Sequence, residues 1–180
     1  MQTAVLLSLA LCSCAAFQRV AAEEVPDFAK TTLSGDWGGR RSEAWQSGWA
    51  FDGTVTVDAL RNRGGQRNGG GAMTNIDLGV TADLEKLAGW NGATAYVNVL
   101  YSGGSQVNAS YTGSLMGVSN IEVDVPTARL FQAWIQQNFF NDQFSLLAGI
   151  YPIDSEFYVM DSASVLIHPT FGTPGDLALT

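Results

Sequence analysis

The sequence predicts an all-β chain, an antiparallel up-and-down sheet of the kind that closes into a transmembrane β-barrel, and three observations lead there. Five stretches, residues 49–58, 74–84, 93–101, 127–138 and 144–151, read as strands. The connectors between them, 59–73, 85–92, 102–126 and 139–143, alternate long and short, as they do when a membrane puts long loops on one side of a barrel and tight turns on the other. Beyond the first two dozen residues, no run approaches the roughly 18 consecutive apolar positions of a membrane-spanning helix. Any entry into a membrane is therefore by strands.

The chain opens on a short apolar core, residues 4–11, followed by small residues and Val20-Ala21-Ala22 before Glu23. This reads as a secretory leader, residues 1–22, although Met1-Gln2-Thr3 lacks the usual basic residue and Arg19 sits late. Leu11-Cys12-Ser13-Cys14 also resembles a lipoprotein cleavage box. Cys12 and Cys14 are the only cysteines, so cleavage after Ala22 leaves neither a disulfide framework nor a thiolate metal site. Residues 23–48 are polar and turn-rich and read as an N-terminal arm, with one or two helical turns over 40–46 that Gly48 stops. Residues 49–180 form the strand-bearing portion, and no repeat or Pro-rich linker marks a second domain.

The strand over 74–84 has the cleanest pattern. Ile76, Leu78, Val80, Ala82 and Leu84 point one way, and Asn75, Asp77, Gly79, Thr81 and Asp83 the other. Its length suits the 9–11 or so residues with which a tilted strand crosses a bilayer. The next strand sets Ala93, Ala95, Val97, Val99 and Tyr101 against Thr94, Tyr96, Asn98 and Ser102, with Leu100 breaking the polar face. In the fourth, Phe131, Ala133, Ile135 and Phe139 alternate with Gln132, Trp134, Gln136 and Asn138, while Arg129 and Gln137 fall on the apolar parity and Leu130 on the polar one. The fifth alternates poorly because Leu146 and Leu147 are adjacent. Trp49, Phe51, Trp90, Phe139, Phe140 and Phe144 gather toward the short turns, and Tyr101 and Tyr151 toward the long connectors. That distribution fits a bilayer interface and equally the core caps of a soluble sandwich.

A formal charge of −8 argues against nucleic acid as a partner. The one basic cluster, Arg61, Arg63 and Arg67 around the Gly-rich stretch 64–71, reads as a solvated loop tip or as a contact for anionic lipopolysaccharide or substrate. Catalysis has little support. His168 is the single histidine, with no nucleophile elbow and no metal-spaced partners, and reads as a loop hydrogen-bonder. Asp154 and Glu156 flank Ser155. In an extended segment they would share a face, as a glycosidase pair or as acceptors for sugar hydroxyls in a pore, or else serve turn capping.

Several segments resemble the OprB-type carbohydrate-selective porins of bacterial outer membranes. They are Leu33-Ser34-Gly35-Asp36-Trp37-Gly38-Gly39-Arg40, Asn75-Ile76-Asp77-Leu78 leading to Leu84-Glu85-Lys86-Leu87, Gly89-Trp90 with Gly92-Ala93-Thr94, Gly117-Val118-Ser119-Asn120-Ile121-Glu122, Ala133-Trp134-Ile135-Gln136-Gln137-Asn138-Phe139, and Ser155-Glu156-Phe157 with Asp161-Ser162-Ala163 and Phe171-Gly172. Their order and spacing match over residues 33–172. The resemblance implies a passive sugar channel in the bacterial outer membrane, exported through a cleaved leader. It also implies a barrel of about 16 strands, trimeric, with polar residues at a constriction and no cofactor, catalytic residue or metal. Two departures remove lumen charge: Gln136 stands where an acidic residue is expected, and Tyr151-Pro152-Ile153-Asp154 where the family tends to have an acidic residue and an asparagine. Family members run beyond twice this length and five strands cannot close a barrel. The chain is therefore expected to be an N-terminal fragment or a truncated gene product that forms no pore by itself.

The candidate pore-lining residues are Asn75, Asp77, Tyr96, Asn98, Gln132, Trp134 and Gln136, joined by Arg129, Asp154 and Glu156 from the matching motifs. A Trp ring offers a platform for a sugar's C–H face, and amides or carboxylates bond its hydroxyls. Expected partners are small carbohydrates and outer-membrane lipid. The alternative from another class is a soluble periplasmic β-sandwich that binds or hydrolyses glycans.

Overall fold

Alternating apolar and polar residues rich in Val, Thr and aromatics favour extended backbone, and each predicted strand forms. The computed structural model describes residues 24–157 and 166–171, so the leader read at 1–22 lies outside them. Two helical turns, α1 (Phe28–Thr31) and α2 (Arg40–Gln46), precede β1 (Trp49–Asn62) and β2 (Gly69–Asp83). A short helix, α3 (Leu84–Ala88), leads to β3 (Ala93–Gly104); β4 (Thr127–Phe139), β5 (Phe144–Ile150) and the single turn α4 (Asp154–Phe157) follow. The strands form one antiparallel sheet in chain order, β1-β2-β3-β4-β5. No helix among the described residues is long and apolar enough to cross a membrane.

The first connector departs from expectation. β1 and β2 run on through Asn62 and back from Gly69, leaving only residues 63–68 between them, fewer than the 84–92 connector that follows. Arg61 is accordingly a strand residue rather than part of a loop. The strict alternation of connector lengths does not hold for this pair, although 105–126 remains long and 140–143 short.

The contacts group into two compact units. The first takes Met1–Asp52, Leu78–Asn98 and Leu130–Tyr151. In its arm, Asp36 accepts hydrogen bonds from the backbone N–H and hydroxyl of Ser42, both at 2.8 Å, and so satisfies one free N–H in the first turn of α2. The Arg41 guanidinium lies over the rings of Phe28 (4.5 Å) and Trp37 (5.2 Å) and donates to the Phe51 carbonyl at 2.6 Å. That one side chain ties the arm to β1. At the next turn Asp83 accepts from Glu85 N and Lys86 N, and α3 ends at left-handed Gly89, whose N–H reaches Glu85 O.

The β4–β5 register pairs Gln137 with Leu146 and Gln136 with Leu147. Paired residues share a face, so the adjacent leucines divide: Leu146 joins the apolar row and Leu147 the polar one. The tight connector holds Phe140, Asn141 and Asp142 all at positive φ (54°, 56° and 66°).

The second unit takes Gly53–Asp77, Val99–Arg129 and Pro152–Thr180. Its long connector is built rather than loose. Val107 is buried, and Asn108 brackets the π-helical turn Asn108–Thr112 by accepting from Ser114 N (2.7 Å) and donating to Ser114 O (2.9 Å). Ser119 donates to Asp58 at 2.6 Å. His168 accepts from Thr170 N at 3.2 Å, the loop hydrogen bond expected of it.

Burial does not separate apolar from polar residues as it does in a water-soluble sheet: Met73 and Ala93 are buried, but so are polar residues. Asn98, Ser102, Asp83 and Ser119 are among the most buried residues, whereas Val55 (65% exposed), Val57, Leu78 (56%), Val97, Val99, Ile135 and Ile150 are exposed. Contiguous exposed apolar surface on strand faces marks contact with another apolar phase.

Candidate functional site

A glycine opens the site in the first unit. A Cβ at Gly79 in β2 would lie 2.4 Å from both Asp52 carboxylate oxygens and from the Tyr96 hydroxyl. Only hydrogen lets the β1 carboxylate and the β3 phenol converge there. Tyr96 Oη donates to Asp52 Oδ1 at 3.4 Å.

Aromatic rings continue the row. Tyr96 and Trp134 have centroids 5.4 Å apart at 37°, and Trp134 meets Tyr151 edge-on at 6.3 Å and 80°. Trp134 is 6% exposed, and its Nε1 donates to Gln132 Oε1 at 3.1 Å. One strand repeat on, Gln136 Nε2 donates to Asn138 Oδ1 at 2.9 Å. Alternation places these β4 residues on one face, with apolar Ala133 and Ile135 on the other. Rings beside amides and a carboxylate suit a neutral polyhydroxylated ligand, which offers C–H faces to the rings and hydroxyls to the polar groups.

Of the predicted positions, Tyr96, Gln132, Trp134 and Gln136 meet here. Asn98 is 1% exposed and donates to the Leu78 carbonyl at 3.2 Å, so it braces the strands. Asn75 and Asp77 belong to the second unit, where Asn75 Nδ2 donates to Ser102 Oγ at 3.0 Å and Asp77 is half-buried. Arg129 is exposed at the start of β4, on the parity of Ala133 and Ile135.

Asp154 is exposed and opens α4. The extended segment expected at 154–156 is instead a helical turn, in which residues two apart face different directions. The shared face proposed for Asp154 and Glu156 is therefore lost, and the Glu156 side chain lies outside the described residues. Sequence reasoning missed Asp52, Gly79 as the opening, and Tyr151 as the third ring. Thr54, Thr56 and Asp58 alternating with Val55 and Val57 is the signal that puts Asp52 on the polar face.

The model of the Carbohydrate-selective porin, OprB family, matches residues 67–178. Porin B of Pseudomonas aeruginosa is 28% identical over 133 residues, covering 69% of this chain and 29% of that protein. QuiX of Acinetobacter baylyi, named as a candidate porin, is 26% identical over 133 residues, covering 69% and 30%. The high-pH structure of Pseudomonas putida OprB superimposes with a TM-score of 0.64 at 25% identity, covering 77% of this chain and 34% of that one. The chain thus spans about a third of the length of the relatives it matches.

Proposed function

Because the chain belongs to the OprB family of carbohydrate-selective porins, we propose that it contributes an arc of wall to a bacterial outer-membrane channel through which small sugars diffuse passively. The observation that carries this reading is the row of Tyr96, Trp134 and Tyr151 rings beside Asp52, on the polar face of strands whose opposite face exposes valine, leucine and isoleucine. The apolar face meets lipid and the polar face meets the sugar. In lipid the outer edges of β1 and β5 need strand partners, since each unpaired backbone group there costs several kcal/mol. Barrel closure, trimeric assembly and export by the leader at 1–22 belong to this same reading.

The family suggests a channel rather than an enzyme. A soluble glycan-binding sandwich has less support, because a sandwich covers its apolar face with a second sheet, whereas the described strands form a single sheet.

Sugar-blocking titrations of ion current, through planar bilayers that hold the closed channel carrying this arc, test the proposal. Trp134→Ala is expected to weaken sugar block about tenfold, equivalent to about 1.4 kcal/mol, while open-channel current persists. Unchanged sugar affinity in a channel that still conducts would remove Trp134 from the path.

A further inference from the structure

The β1–β2 corner carries three arginines that the sugar site does not use. Arg61, Arg63 and Arg67 are all exposed, and among the described residues no acidic side chain or other acceptor engages their guanidinium groups. They sit in a chain of net charge −8, where unpaired arginines would find intramolecular partners readily if the corner were free to move.

It is held instead. Asn62, between Arg61 and Arg63, holds Nδ2 within reach of the carbonyls of Gly64 (2.9 Å), Arg67 (2.7 Å) and Tyr111 (3.2 Å), its two hydrogens shared among the three. Gly64 N donates to Asn68 Oδ1 at 2.7 Å, and Arg67 N to Tyr111 O at 3.2 Å. One amide thus draws the backbone of Arg67 to the strand end that bears Arg61 and Arg63. The β1 alternation adds a direction. Arg61 shares parity with Val55, Val57 and Ala59, opposite Asp58 and Asn62, which turn to the connector residues Ser119 and Tyr111. The exposed apolar row of β1 therefore ends in a guanidinium.

We propose that this corner is a docking surface for phosphate-bearing lipid headgroups of the outer leaflet, with Val55 and Val57 against acyl chain and the three arginines on the phosphates. The inference rests on the membrane-spanning reading above. An apolar row ending in fixed cations complements an amphiphile with an anionic head, and the planar guanidinium fork matches phosphate oxygens two at a time. Free inorganic phosphate would have no use for the valine row.

Binding of the detergent-folded protein to neutral phosphatidylcholine vesicles doped with diphosphoryl lipid A, or with the same glycolipid stripped of phosphate, tests this. Wild type is expected to prefer the phosphorylated form by about tenfold or more, a preference that falls with salt. R61A/R63A/R67A is expected to abolish it, Asn62→Ala to reduce it, and R61K/R63K/R67K to retain part, because charge survives and the fork does not. Equal binding of both glycolipids by wild type, or an undiminished preference in the triple alanine variant, overturns the proposal. So does full competition by inorganic phosphate at the lipid's concentration, which would indicate a simple anion site. Ion conductance of each variant, placed in the closed channel that carries this arc and measured in neutral-lipid bilayers, reports the channel separately, so loss of lipid preference with intact current leaves the sugar-channel reading standing. Should the triple alanine variant fail to fold, Asn62→Ala and the lysine variant carry the test.

Discussion

At the residue scale, two positions do work that their chemistry alone would not suggest. Gly79 contributes no side chain, and that is its contribution: with a Cβ 2.4 Å from three oxygens, Asp52 and Tyr96 would have to separate. Gly79→Ala is therefore expected to weaken sugar block of the channel at little cost to the fold, because a Cβ would meet only the movable ends of the Asp52 and Tyr96 side chains. Titrating block and denaturant midpoint on the same preparation checks both. Arg41 works through two rings and a carbonyl. Arg41→Ala should lower stability by about 1–3 kcal/mol, measured by guanidinium unfolding, and Arg41→Lys should restore only part because an ammonium cannot stack and fork together. Asp36, Trp37 and the two glycines after it, part of the motif that carries the family resemblance, owe their pattern to this clasp and to the first turn of α2.

At the element scale, each strand and turn can be questioned separately. Asp83 is the N-cap of α3 and accepts two backbone N–H groups. Asp83→Ala should cost about 0.5–2 kcal/mol, read from the urea midpoint. Leu78, exposed on the apolar face of β2, should tolerate Ala and Val, whereas Leu78→Arg should cost about 2–4 kcal/mol if that face lies near the bilayer midplane. Folding yield into lipid vesicles against urea measures the difference, and an Arg variant that folds as well as wild type would show that this face meets water.

The strands themselves were legible because a half-buried strand writes its period of two into the sequence, most clearly from Asn75 to Asp83. The β1–β2 corner was not. Its glycines look like a loop, yet Gly69 and Gly71 are strand residues that leave room for the connector: a Cβ at Gly69 would lie 2.0 Å from the Tyr111 ring, and one at Gly71 would lie 2.3 Å from Ser105. Local sequence carries no mark of a ring that arrives from forty residues away. The site was legible in the same measure. Trp134 and Tyr96 follow from strand parity, whereas the convergence of Asp52 on Gly79 depends on inter-strand register, which no single strand encodes. The helical turn at Asp154 was masked for a simpler reason, since four residues are too few for a period to show.

At the scale of the whole molecule, the pairing of a hydrogen-bonded polar face with an exposed apolar one is what joins fold to function. Polar groups of one face hydrogen-bond among themselves, while the other face exposes valine, leucine and isoleucine. The proposed function gives that arrangement a purpose in sugar passage. The most direct test is sugar-driven swelling of liposomes reconstituted with the closed channel that carries this arc. A carbohydrate-selective channel predicts swelling faster in a neutral monosaccharide than in an anionic solute of equal size, with the sugar preference diminished by Trp134→Ala. Correctly inserted protein whose liposomes swell no faster than protein-free ones, or swell without preferring the sugar, would contradict it.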